Sequence, residues 1–236
     1  DMISPTSRPT EKKALLVMAH PDNAELSSGG TVLKLIEQGY EVRYVVCSTG
    51  DKGSKDPANT PLQIAITREQ EQKSAAAVLG VHHLTFLRHP DGELDRIRGL
   101  RDEIAILIRS SRPDIIITHD PWRPYQIHPD HRAVGFAAAD AVVYARDHLF
   151  LPVLQEMEIP PFAPMEIHFT FPPAPDHVVN ISDVMERKLE AIAQHKSQFA
   201  HMPGWRERIK LMAAKQAEGS PFQFAESFKR LVLAYQ

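Results

Sequence analysis

Residues 18–30 read MAHPDNAELSSGG, with His20, Asp22, Asn23 and Glu25 inside six positions. The residues just before, 14–18 (ALLVM), are a continuous apolar run, which is how a strand buried on both faces reads. Residues 31–37 carry the amphipathic spacing of a helix. A strand-to-helix turn in an open α/β sheet lies at the carboxyl edge, where ligands bind. Burying that much polarity without a ligand is costly, so this turn is the first candidate site.

Working outward, residues 40–48 and 83–88 read as further strands, and 114–119 (DIIITH) as a fully buried one. Helices are expected between them. One opens at Thr67, where Thr67-Arg68-Glu69-Gln70 has the form of a capping box, and another spans 97–109. Strands alternating with helices predict a Rossmann-like, doubly wound, mostly parallel α/β sheet flanked by helices. Beyond 119 comes DPWRPYQIHPDH and an Ala-rich helix over 129–146, with Pro129 at its first position and His128 as N-cap. Residues 147–177 are Pro-rich loop, interrupted by strands at 166–171 and 177–181. Helices over 183–199 (capped by Ser182), 205–217 and 222–233 are expected to form a helical C-terminal cover. Residues 1–13 read as a disordered leader and 14–236 as a single domain.

In the doubly wound order 3-2-1-4-5, the first and fourth strands flank the crevice where the order reverses. His20, Asp22 and Asn23 of the first turn would then face His119, Asp120, His128, Asp130 and His131 of the second. His and oxygen donors without cysteine suit a catalytic metal with an open position rather than a closed structural site. That donor set fits zinc best, with iron, cobalt or nickel also suited. A single HPD can arise by chance in turns, but two, each following a strand and preceding a helix, cannot be dismissed so easily.

Composition sets bounds. The 236 residues carry a net charge of −3 without a basic run, which gives no reason to expect nucleic acid as a partner. No apolar run reaches membrane-spanning length, and no signal-peptide pattern is present, so the chain is expected in the cytoplasm. The one cysteine, Cys47, lies in a strand-like run and reads as a buried structural thiol.

The residues then resemble a known family. AHPDNAELSSGG is similar to the AHPDD-x-E signature of the PIG-L/LmbE family of metal-dependent N-acetylglucosaminyl deacetylases, and HPDHRAVG to its second signature. TREQEQKSAAAVLGV, the turn DGEL and QHKSQF extend the likeness. The resemblance implies metal ligands at His20, Asn23 and His131, a general base at Asp22 and an oxyanion-stabilising His128. It also implies substrate contacts at Arg68 and Asp91, a bound Zn2+, a small amino-sugar substrate and a homo-oligomer. The implied chemistry is hydrolysis of an acetamide to a free amine and acetate.

One departure matters: Asn23 stands where the family has a second Asp, and it offers an oxygen without charge. A catalytically silent sugar- or metal-binding member is the competing reading. A Rossmann-type nucleotide binder is disfavoured, because the first turn has no G-x-G-x-x-G. Simpler roles stand beside the implied ones. Arg68 could pair with Glu69 or Glu71, Asp91 could be a turn former, and Glu25 could complement the positive end of a helix. His195 reads as a surface residue. Trp122, Tyr125 and Trp205 read equally as a sugar-stacking wall or as loop anchors.

Overall fold

In the computed structural model, which describes residues 11–233, the apolar run forms β1 (Lys13–Met18), buried from Ala14 onward. Of the expected leader, residues 1–10 lie outside the described residues and Lys13 already belongs to the sheet. The chain continues through α1 (Asn23–Glu37), β2 (Glu41–Ser48), α2 (Pro61–Leu79), β3 (His83–His89) and α3 (Leu100–Ser111). Next come β4 (Ile115–His119), α4 (Pro129–Arg146), α5 (Val153–Glu156), β5 (Glu166–Thr170) and β6 (His177–Asn180). The last elements are α6 (Met185–Ile192), α7 (Lys196–Phe199), α8 (Trp205–Gln216) and β7 (Ala225–Val232).

The sheet order is β3-β2-β1-β4-β5-β7-β6, parallel except for β7, which runs against both β5 and β6. Because side chains alternate along a strand, β1 feeds two cores. Leu16 and Met18 pack with Val32, Leu79 and Leu189 beneath α1, α2 and α6. Leu15 and Val17 pack with Ile104, Ile108 and Val134 beneath α3 and α4. Cys47 is buried in this second core, as expected of a structural thiol. No helix among the described residues is long and apolar enough to cross a membrane.

Four elements differ from expectation. The helix after β1 starts at Asn23 rather than 31, so most of the polar stretch is its first two turns. The capping box lies at Thr60 and Gln63 with Pro61 at the first helical position, seven residues before the Thr67 box. Pro61 fixes φ and lacks an N–H that the first turn would leave unpaired anyway, which starts the helix there. The expected helix at 183–199 is broken into α6 and α7, and Ser182 does not cap it. The 222–233 segment is not part of a helical cover but a strand, β7, inserted between β5 and β6. Its apolar spacing fits both periods, and the backbone groups of the two flanking strands decide the outcome by pairing with it.

Candidate active site

β1 and β4 are hydrogen-bonded neighbours, so the two His-rich turns meet at their carboxyl ends. Pro129 opens α4 and His128 is its N-cap, as expected. α4 can lie against the end of β4 because Gly135 has no side chain: a Cβ there would sit 2.6 Å from the His119 carbonyl oxygen. This seats His131 over the first turn.

His20 is the hub. Its Nδ1 lies 3.2 Å from His131 Nε2 and 3.3 Å from Asn23 Oδ1. Its Nε2 lies 3.0 Å from both Asp130 Oδ2 and Asp91 Oδ1. Two carboxylates require a proton on Nε2, which in the neutral ring leaves the Nδ1 lone pair facing Asn23 and His131. Burial alone would lower the His20 pKa, but its hydrogen bonds to Asp130 and Asp91, with their charges, outweigh burial and raise it to about 9. Burial and the His20 charge push His131 down to about 3, so its ring is neutral. Without a cation His20 therefore carries both ring protons; a divalent cation that displaced the Nδ1 proton would meet two ring nitrogens and the Asn23 oxygen, a donor set that suits it. His20, His128 and His131 also bring ring nitrogens close enough to share an ion, and a His20 nitrogen lies equally close to carboxylate oxygens of Asp91 and Asp130.

His131 is held by its neighbours. Its ring stacks on His119 at 4.2 Å and on His128 at 4.7 Å. His119 Nε2 accepts the Ala19 N–H at 3.1 Å, which fixes its tautomer and ties the end of β4 to the end of β1. Asp130 is fully buried and accepts the N–H groups of Gly92 and Leu94, binding the 91–94 turn to α4. His119 and Asp130 therefore hold the candidate ligands His131 and His20 in place. The sequence placed them in the right turn but gave no sign of these roles.

Asp22 is buried, with φ 93° in the left-handed region and no side-chain cap. Burial raises its carboxyl pKa, an effect opposed by Arg68. Arg68 is itself buried and donates to Asp22 Oδ2 at 3.1 Å and to the Pro21 and Gly50 carbonyls. It pairs with neither Glu69 nor Glu71. Its guanidinium passes between Gly50 and Gly53, where any Cβ would collide with it.

His20, Asp22, Asn23, Arg68, Asp91 and His128 line one cavity of about 500 Å³. It shares Lys52 and Gly53 with an adjoining cleft of about 820 Å³ beside α7 and α8. Trp122, Tyr125 and Trp205 do not line the first of these cavities, so they form no aromatic wall there. Trp122 packs edge-on against Phe136 and Phe169, and Trp205 packs against Phe199. His195 is a correction of another kind: it is wholly buried and bonded to Glu25 at 3.1 Å.

Comparison with known proteins agrees with this geometry. Residues 15–142 match the model of the PIG-L family, described as GlcNAc-PI de-N-acetylase. The chain is 34% identical to a diacetylchitobiose deacetylase of Thermococcus kodakarensis, over 92% of this chain and 82% of that protein. It is 31% identical to a probable N-acetyl-alpha-D-glucosaminyl L-malate deacetylase 2 of Bacillus cereus, over 81% of this chain and 86% of that one. The crystallised N,N'-diacetylchitobiose deacetylase of Pyrococcus horikoshii superposes with a TM-score of 0.90 at 31% identity, covering 94% of this chain and 85% of that one. With the two His-rich turns closing on one cavity and a family model spanning both, the chain belongs to the PIG-L family of de-N-acetylases.

Proposed function

We propose that this protein is a divalent-cation-dependent deacetylase that hydrolyses the acetamide of an N-acetylglucosamine-type substrate. The observation that carries the reading is the convergence of His20 Nδ1, Asn23 Oδ1 and His131 Nε2 at the edge of the cavity that the buried carboxylate of Asp22 lines. These three residues would hold the cation, for which zinc suits the donor set. When bound it polarises the acetamide carbonyl and acidifies the attacking water.

Asp22 takes the water proton and returns it to the leaving nitrogen. Its burial, which raises the pKa, suits a group that must first accept a proton and then release it. Arg68 holds one carboxylate oxygen, so in this reading it positions the base rather than gripping sugar hydroxyls. His128 donates an N–H to the oxyanion. Burial and the His20 charge lower its pKa, and a neutral imidazole still offers the one N–H the role needs. Asp91 Oδ1 orients His20, and its carboxylate on the cavity wall is available to a sugar hydroxyl. The adjoining cleft gives room for a group attached to the sugar, which favours a conjugate over a free monosaccharide.

The same proposal extends to a cytoplasmic homo-oligomer. Val153 and Met157, exposed within the Pro-rich segment, are the contacts offered for the oligomer, and light scattering on the purified chain tests the oligomeric state.

Asn23 favours a second reading, a catalytically silent member that keeps the cavity. Metal content of the purified protein and acetate release from N-acetylglucosamine conjugates, with and without added zinc, separate the two. Acetate release that depends on metal supports the enzyme. Metal binding without release supports the silent form, and neither would defeat the metal-site argument.

A further inference from the structure

Asp22 has a backbone conformation that residues with a side chain rarely adopt. Its side chain caps no helix N–H, and within the turn it is met by Asn23 Nδ2 at 2.9 Å while its carbonyl accepts the Leu26 N–H. Its own N–H is held from α2. The Asp22 N–H donates to Gln72 Oε1 at 2.9 Å, and the other end of that amide, Nε2, donates to Glu25 Oε1 at 2.9 Å. The second oxygen of Glu25 lies 3.1 Å from His195 Nε2. Gln72, Glu25 and His195 are each 0% exposed, and none of them lines the catalytic cavity.

We propose that Gln72 is a positioning residue for Asp22, and that Glu25 and His195 serve to orient its amide. An amide can accept through one end only, and the commitment of Nε2 to Glu25 is what turns Oε1 toward Asp22. A buried carboxylate is costly to keep unless its partners compensate it, and here both oxygens are spent on fixing donors. The chain therefore runs from the segment before α7, through α1 and α2, to the backbone of the base. Gln72 and His195 lie in the two later stretches that extend the family likeness, but their spacing does not show that they meet, and His195 read as a surface residue.

This inference rests on the deacetylase reading, and the test separates the two. Acetate release by the parent protein reports on that reading alone. Gln72→Met keeps the side-chain length and removes both hydrogen bonds. It is expected to lower kcat by about 10- to 100-fold, the scale of a small misplacement of a catalytic group, with KM and metal content unchanged. Glu25→Gln alone offers one acceptor to two donors, and should lower kcat by less than Gln72→Met, because the His195 ring can shift its proton to Nδ1 and accept the new amide through Nε2. The exchange Gln72→Glu with Glu25→Gln rebuilds every bond: the carboxylate at position 72 accepts the Asp22 N–H and the amide at position 25, whose oxygen accepts from His195. Its kcat should return to within about threefold of the parent, since a restored geometry restores the positioning.

Protection of the Asp22 amide proton from hydrogen exchange gives a second readout that needs no turnover. It should be high in the parent, lost in Gln72→Met and restored in the exchanged pair. Parent-level kcat and protection in a folded Gln72→Met protein would overturn the proposal. So would an exchanged pair that folds but recovers neither.

Discussion

Asn23 Nδ2 donates to Asp22 Oδ1 at 2.9 Å, while Asn23 Oδ1 faces the backbone N–H and ring of His20. The amide thus offers an oxygen to the candidate metal position and a proton to the base. A carboxylate at position 23 would bring charge to the cation and lose the donor to Asp22.

Asn23→Asp therefore has two opposed effects. Affinity for zinc should rise about tenfold or more, because ligand charge count tunes cation affinity, and competition with a chelator measures it. With a like charge beside it in place of a donor, the Asp22 pKa should rise further. The acid limb of the kcat/KM profile should then move to higher pH. Unchanged affinity would show that Asn23 is not a ligand.

Asp130→Asn removes one of the two carboxylates on His20 Nε2 and weakens the hold on the Gly92 and Leu94 N–H groups. Groups that orient a metal-binding imidazole typically contribute about 10- to 100-fold in affinity. Zinc affinity should fall by that factor, with a smaller loss of thermal stability, as read by calorimetry on the apo and loaded protein.

Lys188 and Glu226 form a fully buried ion pair at 2.5 Å. The carboxylate also accepts the N–H groups of Gly30 and Thr31 in α1, and the ammonium donates to the Leu26 carbonyl. Lys188→Met leaves an uncompensated buried charge, which costs about 3–5 kcal/mol. Urea unfolding should show a loss of that order, and Lys188→Met with Glu226→Gln should lose less.

Glu166 on β5 is bonded by Arg230 of β7 and by His168. The Arg230 hydrogen bond leads in lowering its pKa from the ordinary 4.5 to about 2, against the opposing effect of burial. A depressed carboxylate pKa contributes stability above the unfolded value that is lost as pH falls through the folded one. Because Arg230 is partly exposed, the contribution is within about 1 kcal/mol. Glu166→Gln should therefore lower Tm at pH 7 by no more than about 2–4 °C, and its gap from the parent should close between pH 4.5 and 2. A gap that does not depend on pH would mean that packing, not charge, is lost.

The alternation of apolar runs and helix-length segments was enough to determine a parallel doubly wound sheet, because buried strands such as β1 and β4 leave an unbroken apolar record in the chain; the order 3-2-1-4-5 came from the usual order of that fold class, and the first five strands keep it. The two HPD turns, His128 as N-cap and Pro129 at the head of α4 were legible for a similar reason: turn and cap chemistry is local. What the tertiary structure alone decided is long-range. Residues 222–233 became a strand because β5 and β6 left backbone groups to pair. Arg68 became the partner of Asp22, rather than of a glutamate one turn away, because Gly50 and Gly53 open a path for its guanidinium. Glu25, Gln72 and His195 meet because three segments bury them together, and a buried polar group takes whichever partner the fold brings within reach. No spacing in the sequence encodes that choice.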